Sequence, residues 1–352
     1  MLSVSRKTGC WQNLLAQSPA GASELAARLG IAADEIRDVM IQYPARINPY
    51  ALDLLGRTGE PIWRQLVPNR AELDEAGLPD ADPLCETGQS PADGIIHRYP
   101  DRVLFTVSTQ CAVYCRHCMR KREVGSGTPG IGKLVHAGLS YIADTPAIKE
   151  VILSGGDPLM LDDDRLSSIL TRIRAIDHVE LVRIHTRAPG MLPARITNDL
   201  ARVLSRFHPL YVNIQFNHPD ELTADAVAAC SRLADAGIPL GAQSVLLAGV
   251  NDDPEVMTAL MRVLLAARVR PYYLHHPDPI KGTAHFRVPL ERGLSILEAL
   301  RGRVSGMGVP QYMIDLPGGG GKVPLLPQYV QDHTGRHLVV YNFEKKRYTY
   351  PL

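Results

Sequence analysis

From residue 103 onward the chain alternates short apolar runs with amphipathic stretches, and that alternation admits few folds. The apolar runs cover residues 103–109, 150–153, 180–185, 210–216, 239–247, 270–275 and 309–314. Each has strand length and is bounded by turn-forming or polar residues. Between them, stretches such as 165–176 and 223–236 repeat apolar residues at helical spacing. Short buried strands joined by helices call for a parallel sheet with right-handed crossovers. The count predicts an α/β fold, a partial or nearly closed (β/α) barrel, with chemistry at the carboxyl ends of its strands.

Residues 1–95 read differently, as helices joined by loops. Residues 23–29 and 33–41 have helical spacing, with Gly30 as a stop between them. Residues 61–68 and the acidic, proline-dotted stretch 72–91 read as surface wrapping without chemistry. The expected organisation is an N-terminal helical extension for wrapping or oligomerisation (1–95), the barrel (96–325) and a C-terminal tail (326–352). With 38 basic against 37 acidic residues, nothing suggests a nucleic-acid surface or a membrane patch. No apolar run approaches the roughly 20 residues of a membrane span, and the start lacks the order of a signal peptide.

The densest chemical signal is Cys111-Ala-Val-Tyr-Cys115-Arg-His-Cys118, directly after the first apolar run. Three thiols on one short loop can surround a single metal centre. A structural zinc or a ferredoxin-type cluster takes four protein ligands, so three leave a [4Fe-4S] cluster with one iron open. A zinc knuckle short of its last ligand and three unrelated thiols are the alternatives. Cys10, Cys85 and Cys230 have no paired spacing to supply a fourth ligand, and Cys10 and Cys85 read as free thiols. Six cysteines so arranged are no disulfide framework, and an oxygen-labile cluster predicts a reducing, cytoplasmic location.

Two further segments fall at strand ends. Ser154-Gly-Gly-Asp157 ends the second run, where adjacent glycines let backbone approach a ligand or simply make a tight turn. Asp315-Leu-Pro-Gly-Gly-Gly-Gly-Lys322 ends the last run. It departs from a phosphate-binding P-loop, because Val323 stands where Ser or Thr should follow the lysine. A flexible linker is one reading. The other is a lysine that condenses with a carbonyl cofactor.

A CxxxCxxC loop after a strand in such a chain resembles the radical S-adenosylmethionine (SAM) superfamily. Together with the lysine of the glycine run, it resembles the lysine 2,3-aminomutase family from about residue 97 to 329. The segments that carry this are His97-Arg-Tyr-Pro-Asp-Arg-Val-Leu104, Tyr114-Cys-Arg-His-Cys-Met-Arg120, Ser154-Gly-Gly-Asp157, Phe216-Asn-His-Pro-Asp220, Gln243-Ser-Val-Leu-Leu247, Arg270-Pro-Tyr-Tyr273, Ala284-His-Phe-Arg287 and Pro317-Gly-Gly-Gly-Gly-Lys322.

The resemblance implies cluster ligation by Cys111, Cys115 and Cys118, and SAM contact by Ser154, Gly155, Gly156 and Asp157, the last standing where many relatives have Glu. It implies that Lys322 binds pyridoxal phosphate (PLP), with Arg98, Tyr99, Arg102 and Gln243 around the cofactor. Arg120 takes the role of pairing with the substrate carboxylate, and Asp278 and Asp315 that of holding its distal ammonium. Singly, the two aspartates are also readable as turn residues beside Pro279 and Pro317, and Arg102, Arg116 and Arg120 as charges that offset the cluster.

The implied reaction moves the α-amino group of L-lysine to the β-carbon, after the deoxyadenosyl radical takes a β-hydrogen. Arginine, or lysine destined for elongation factor P, are alternative substrates. A PLP-free radical SAM enzyme and a non-catalytic iron-sulfur protein are the rival classes. The expected partners are a small amino-acid substrate, an electron donor such as flavodoxin or ferredoxin, and further copies of the chain in a homo-oligomer. Longer family members carry an intersubunit zinc site. Here Asp253 stands in a segment where they have a zinc cysteine and none follows Cys230, so no zinc is expected.

Overall fold

In the computed structural model, which describes residues 11–74, 81–125 and 131–352, all seven apolar runs are strands, with ends within two residues of those expected. They are β2 (Arg102–Ser108), β3 (Glu150–Gly155), β4 (Leu181–Thr186), β5 (Leu210–Ile214), β6 (Leu240–Val245), β7 (Arg270–His275) and β8 (Gln311–Leu316), and each pairs in parallel with the next. Two more strands flank them. β1 (Ile95–Tyr99) runs antiparallel to β2, and β9 (Gly321–Leu325) antiparallel to β8. The sheet order is simply β1 to β9, which is a nearly closed (β/α) barrel.

The edge strands β1 and β9 are joined by side chains instead of by a ladder. Lys322 N of β9 donates to Tyr99 Oη of β1 at 2.8 Å, and Arg98 Nη1 of β1 also reaches Asp315 Oδ1 on the neighbouring β8 at 3.0 Å.

Strand alternation decides what faces the lumen. On β4, Val182 and Ile184 are fully buried among the helices, while Arg183 and His185 line the central cavity. On β2, Val103, Phe105 and Val107 pack outward and Leu104 inward. The outer residues join the helices in one continuous core, each fully buried Leu, Ile or Phe contributing roughly 1.5–3 kcal/mol. The helices expected over 165–176 and 223–236 lie at Asp163–Arg174 and Ala224–Asp235. Asp162 and Thr223 cap their N-termini with side-chain oxygens.

The N-terminal extension holds helices Ala22–Leu29, Ala33–Gln42, Pro49–Arg57 and Glu60–Leu66. Gly30 ends the first with φ +71°. These helices make a second core that includes Ala112 and Val113 of the cysteine loop. Surface wrapping is therefore the wrong description of 61–74. Ile62, Gln65, Leu66 and Glu72 are fully buried, because the cysteine loop needs an apolar and polar bed on its outer side.

Residues 330–351 form a separate antiparallel sheet of β10 (Val330–Thr334), β11 (His337–Tyr341) and β12 (Arg347–Pro351). Among the described residues no helix is long and apolar enough to cross a membrane.

Candidate active site

A cavity of about 530 Å³ fills the barrel at the carboxyl ends of its strands, and every site residue named from the sequence lines it. One wall is the cysteine loop after β2. The N-terminal extension fixes this loop by backbone bonds, Tyr114 N to Arg46 O (3.0 Å) and Arg116 N to Gln65 O (2.8 Å). The buried Asn48 amide donates to Ala112 O and Met191 O. Arg116 turns away from the cavity toward Glu72, whose carboxylate also accepts from Lys121 at 2.6 Å. Arg116 is thus a structural charge.

Cys111, Cys115 and Cys118 form no disulfide and line one wall of the cavity. Burial and then the Cys115 sulfur push Cys118 up to about 11, and burial, Asp157 and the other two sulfurs push Cys111 well above its usual value. Burial thus disfavours bare thiolates at Cys111 and Cys118, and a cationic centre beside them would favour the ionised sulfurs. Among the described residues no three His, Cys, Asp or Glu side chains converge on one ion-sized point.

The glycine pair is required by packing. Gly155 has φ +112°, and a Cβ there would lie 2.4 Å from Ser108 O; a Cβ on Gly156 would lie 2.6 Å from Gln110 O. With no side chains, the end of β3 passes against the start of the cysteine loop, and Gly156 N and Asp157 N donate to Ser108 O and Gln110 O. The Asp157 carboxylate is engaged by protein donors, namely Leu159 N, Thr186 Oγ1 and Arg187 N. What Ser154–Asp157 offer a ligand is therefore mainly backbone.

Sequence reasoning passed over His117 and Arg187. Arg187 Nη1 donates to Cys115 Sγ at 2.7 Å and Nη2 to Gln65 and Glu221. Its Nε and His117 Nδ1 are buried without a partner among the described residues. Orphaned polar atoms beside three clustered thiols fit a polar ligand next to a metal cluster, which is what SAM is. No periodicity marks either residue in the sequence.

The opposite wall is the β8–β9 hairpin. Its glycines are needed for close approach: a Cβ on Gly319 would lie 1.8 Å from the Gln89 amide, and one on Gly321 3.1 Å from Tyr99 Oη. Asp315 and Lys322 are direct cross-strand partners, and their side chains form an ion pair. Asp315 also accepts from Arg98. Asp278 makes no side-chain hydrogen bond or ion pair among the described residues; burial, then the charge of Asp315, push it up to about 7. Burial and Lys322 lower His275 to about 3, and burial holds His185 far below its ordinary value. Both lumen histidines are neutral at pH 7.

A primary amine on the cavity wall fits PLP. So do the Arg102 guanidinium, 4.7 Å above the Tyr99 ring, and the Gln243 amide, which has no partner among the described residues. Arg98 is already committed to Gln89, Leu84 O and Asp315. Arg120 reaches Ser154 Oγ at 3.5 Å and is gripped by Glu86. Glu86, from the stretch read as wrapping, is buried and lines the cavity. Asp253 caps the helix Pro254–Ala266 through Glu255 N and Val256 N.

Comparison with known proteins agrees with this geometry. Residues 105–261 match the family model for the radical SAM superfamily, and residues 297–352 the model for lysine-2,3-aminomutase. The chain is 46% identical to the L-lysine 2,3-aminomutase of Acetoanaerobium sticklandii over 307 residues, covering 86% of this chain and 74% of that one. It is 44% identical to the L-lysine 2,3-aminomutase of Methanococcus maripaludis, covering 95% and 79%. It is also 41% identical to the glutamate 2,3-aminomutase of Clostridioides difficile, covering 88% and 74%. Identity at this level over most of both sequences, on a barrel whose one cavity wall is a three-cysteine loop and the other a glycine-run lysine, makes this chain a member of the lysine 2,3-aminomutase family of radical SAM enzymes.

Proposed function

We propose that the protein is a PLP-dependent aminomutase that moves the α-amino group of L-lysine to the β-carbon. The observation that carries this reading is the pair Asp278 and Asp315, two carboxylates on the cavity wall beside Lys322 and in the same space as Arg120. An amino acid with a cationic end satisfies both walls. Its α-carboxylate meets Arg120 and its distal ammonium meets the aspartates, which makes a desolvated charge tolerable. Glutamate would bring a second carboxylate to the aspartates and be repelled, although a glutamate 2,3-aminomutase is among the relatives.

When bound, the reduced cluster with SAM supplies a deoxyadenosyl radical and PLP supplies the π system on which nitrogen migrates. The chain's own residues do the rest. Cys111, Cys115 and Cys118 hold the cluster, and the backbone of Ser154–Asp157 with His117 and Arg187 holds SAM. The Lys322 amine holds PLP, with Tyr99, Arg102 and Gln243 about it. The barrel wall excludes water and keeps the reacting atoms near contact. A low-potential donor such as flavodoxin or ferredoxin would reduce the cluster, in a reducing compartment.

Anaerobic incubation of the reconstituted protein with SAM, reductant and L-lysine, L-arginine or L-glutamate in separate reactions tests the assignment. β-Lysine as the sole β-amino acid supports it. β-Glutamate or β-arginine in its place refutes the lysine assignment, and SAM cleavage with no β-amino acid refutes free lysine as substrate.

A further inference from the structure

Residues 82–90 bridge the two walls of the cavity. Pro83 O accepts from Gly318 N of the glycine run (2.9 Å), and Leu84 O and Gln89 Oε1 accept from Arg98 (3.2 and 2.9 Å). From the same strap Glu86 reaches Arg120, the first arginine past the cysteine loop. Its position is fixed on its own side, because the Asp82 carboxylate accepts from Glu86 N and Thr87 N at 3.0 and 2.9 Å.

The pair is buried, Glu86 5% and Arg120 7% exposed, and its geometry is specific. Arg120 Nε donates to Glu86 Oε2 at 3.1 Å and Nη2 to Oε1 at 2.6 Å. A guanidinium has five N–H groups in a rigid fork with two edges that can each grip a carboxylate. Glu86 takes the side edge. The end formed by Nη1 and Nη2 keeps its donors, with only the long 3.5 Å contact from Nη1 to Ser154 Oγ.

Glu86 therefore does not stand in for a substrate carboxylate at the end-on edge; it leaves that edge open. We propose that Glu86 is a positioning residue, which fixes the plane of Arg120 so that its free end receives the α-carboxylate of the amino-acid substrate. This rests on the reading of Arg120 as the carboxylate ligand. An arginine held in advance loses little rotamer freedom on binding, so the contact is stronger than a free side chain would give.

Equilibrium binding of L-lysine and of cadaverine, the same diamine without its carboxylate, to the cluster- and PLP-loaded protein without reductant tests this. In the wild type lysine binds more tightly than cadaverine. Glu86→Gln weakens lysine about tenfold or more, as expected for disturbing a charge-assisted contact, and moves cadaverine less than about twofold, on the same scale. Glu86→Asp, which keeps the charge, recovers part of the loss. In an Arg120→Lys background Glu86→Gln has no further effect on the ratio of the two affinities.

Equal weakening of both ligands, or a full effect of Glu86→Gln in the Arg120→Lys background, reduces Glu86 to a structural role and overturns the proposal. If Glu86→Gln fails to take up iron, Glu86→Asp is judged by the same ratio. No preference for lysine over cadaverine in the wild type, or none lost in Arg120→Lys, shows that the reading of Arg120 has failed, and the proposal with it.

Discussion

Lys322 and Asp315 face each other across the β8–β9 hairpin as direct register partners, and their side chains form an ion pair. The amine read as the cofactor's anchor is thus held by a carboxylate read as the substrate's. If the Lys322 amine holds the cofactor it would no longer pair with Asp315, whose remaining cation would be Arg98. A substrate ammonium would then take the place of the lost partner, which would link cofactor loading to substrate selection.

The Lys322–Asp315 relationship separates two variants. Lys322→Ala should retain iron and bind SAM but hold no PLP chromophore after gel filtration. Asp315→Asn should keep the chromophore and weaken L-lysine binding by roughly tenfold to a hundredfold, the size of a lost charge-assisted contact in a buried site. Absorbance spectra and lysine titrations of the two proteins check this.

Asp278 predicts a pH dependence. Its carboxyl is raised to about 7 by burial first and by Asp315 second, against roughly 3.9 in an unfolded chain. A raised folded value favours folding below about pH 4, and that contribution is lost as pH rises to about 7. Ligand-free protein should lose stability over this window, and Asp278→Asn should flatten that part of the profile. Binding a cation needs the ionised carboxylate, so lysine affinity should fall as pH drops below about 7, up to about tenfold per unit. Dissociation constants from pH 6 to 8, in wild type and Asp278→Asn, measure it.

Glu72 carries two cations, Arg116 at 2.5 Å and Lys121 at 2.6 Å, and is fully buried. Glu72→Ala leaves both guanidinium and ammonium without a countercharge and should destabilise the fold by about 3–5 kcal/mol. Because this triad anchors the outer side of the cysteine loop, iron bound per chain should fall as well. Urea unfolding and iron analysis check the two effects, and iron content unchanged in a destabilised variant would separate the triad from the cluster.

The barrel was legible because seven strand-length runs, each with outward residues buried against the helices, alternate with stretches of helical spacing. The edge strands were not. β1 carries His97 and Arg98, and β9 begins on the last of four glycines and contains Pro324, so neither has a strand's apolar pattern. The thiols, Lys322, Asp278 and Asp315 stood out by spacing or by family resemblance. Glu72 and Glu86 did not, since each is one acid among several in the stretch 72–91 and its burial arises from contacts distant in sequence. Arg116 and Arg120 are the same residue type four positions apart, yet one faces Glu72 behind the loop and the other Glu86 inside the cavity. Only the path of the N-terminal extension distinguishes them.

In the reaction proposed for this cavity, nitrogen moves between two carbons of one lysine molecule. This migration is tested most directly by giving the anaerobically reconstituted protein L-lysine labelled with nitrogen-15 at the α-amino group and locating the label by NMR. The expected product is β-lysine with the label on its β-amino nitrogen, with no such product from Lys322→Ala. Label remaining on the α-carbon while SAM is consumed, or label released as ammonia, would contradict it.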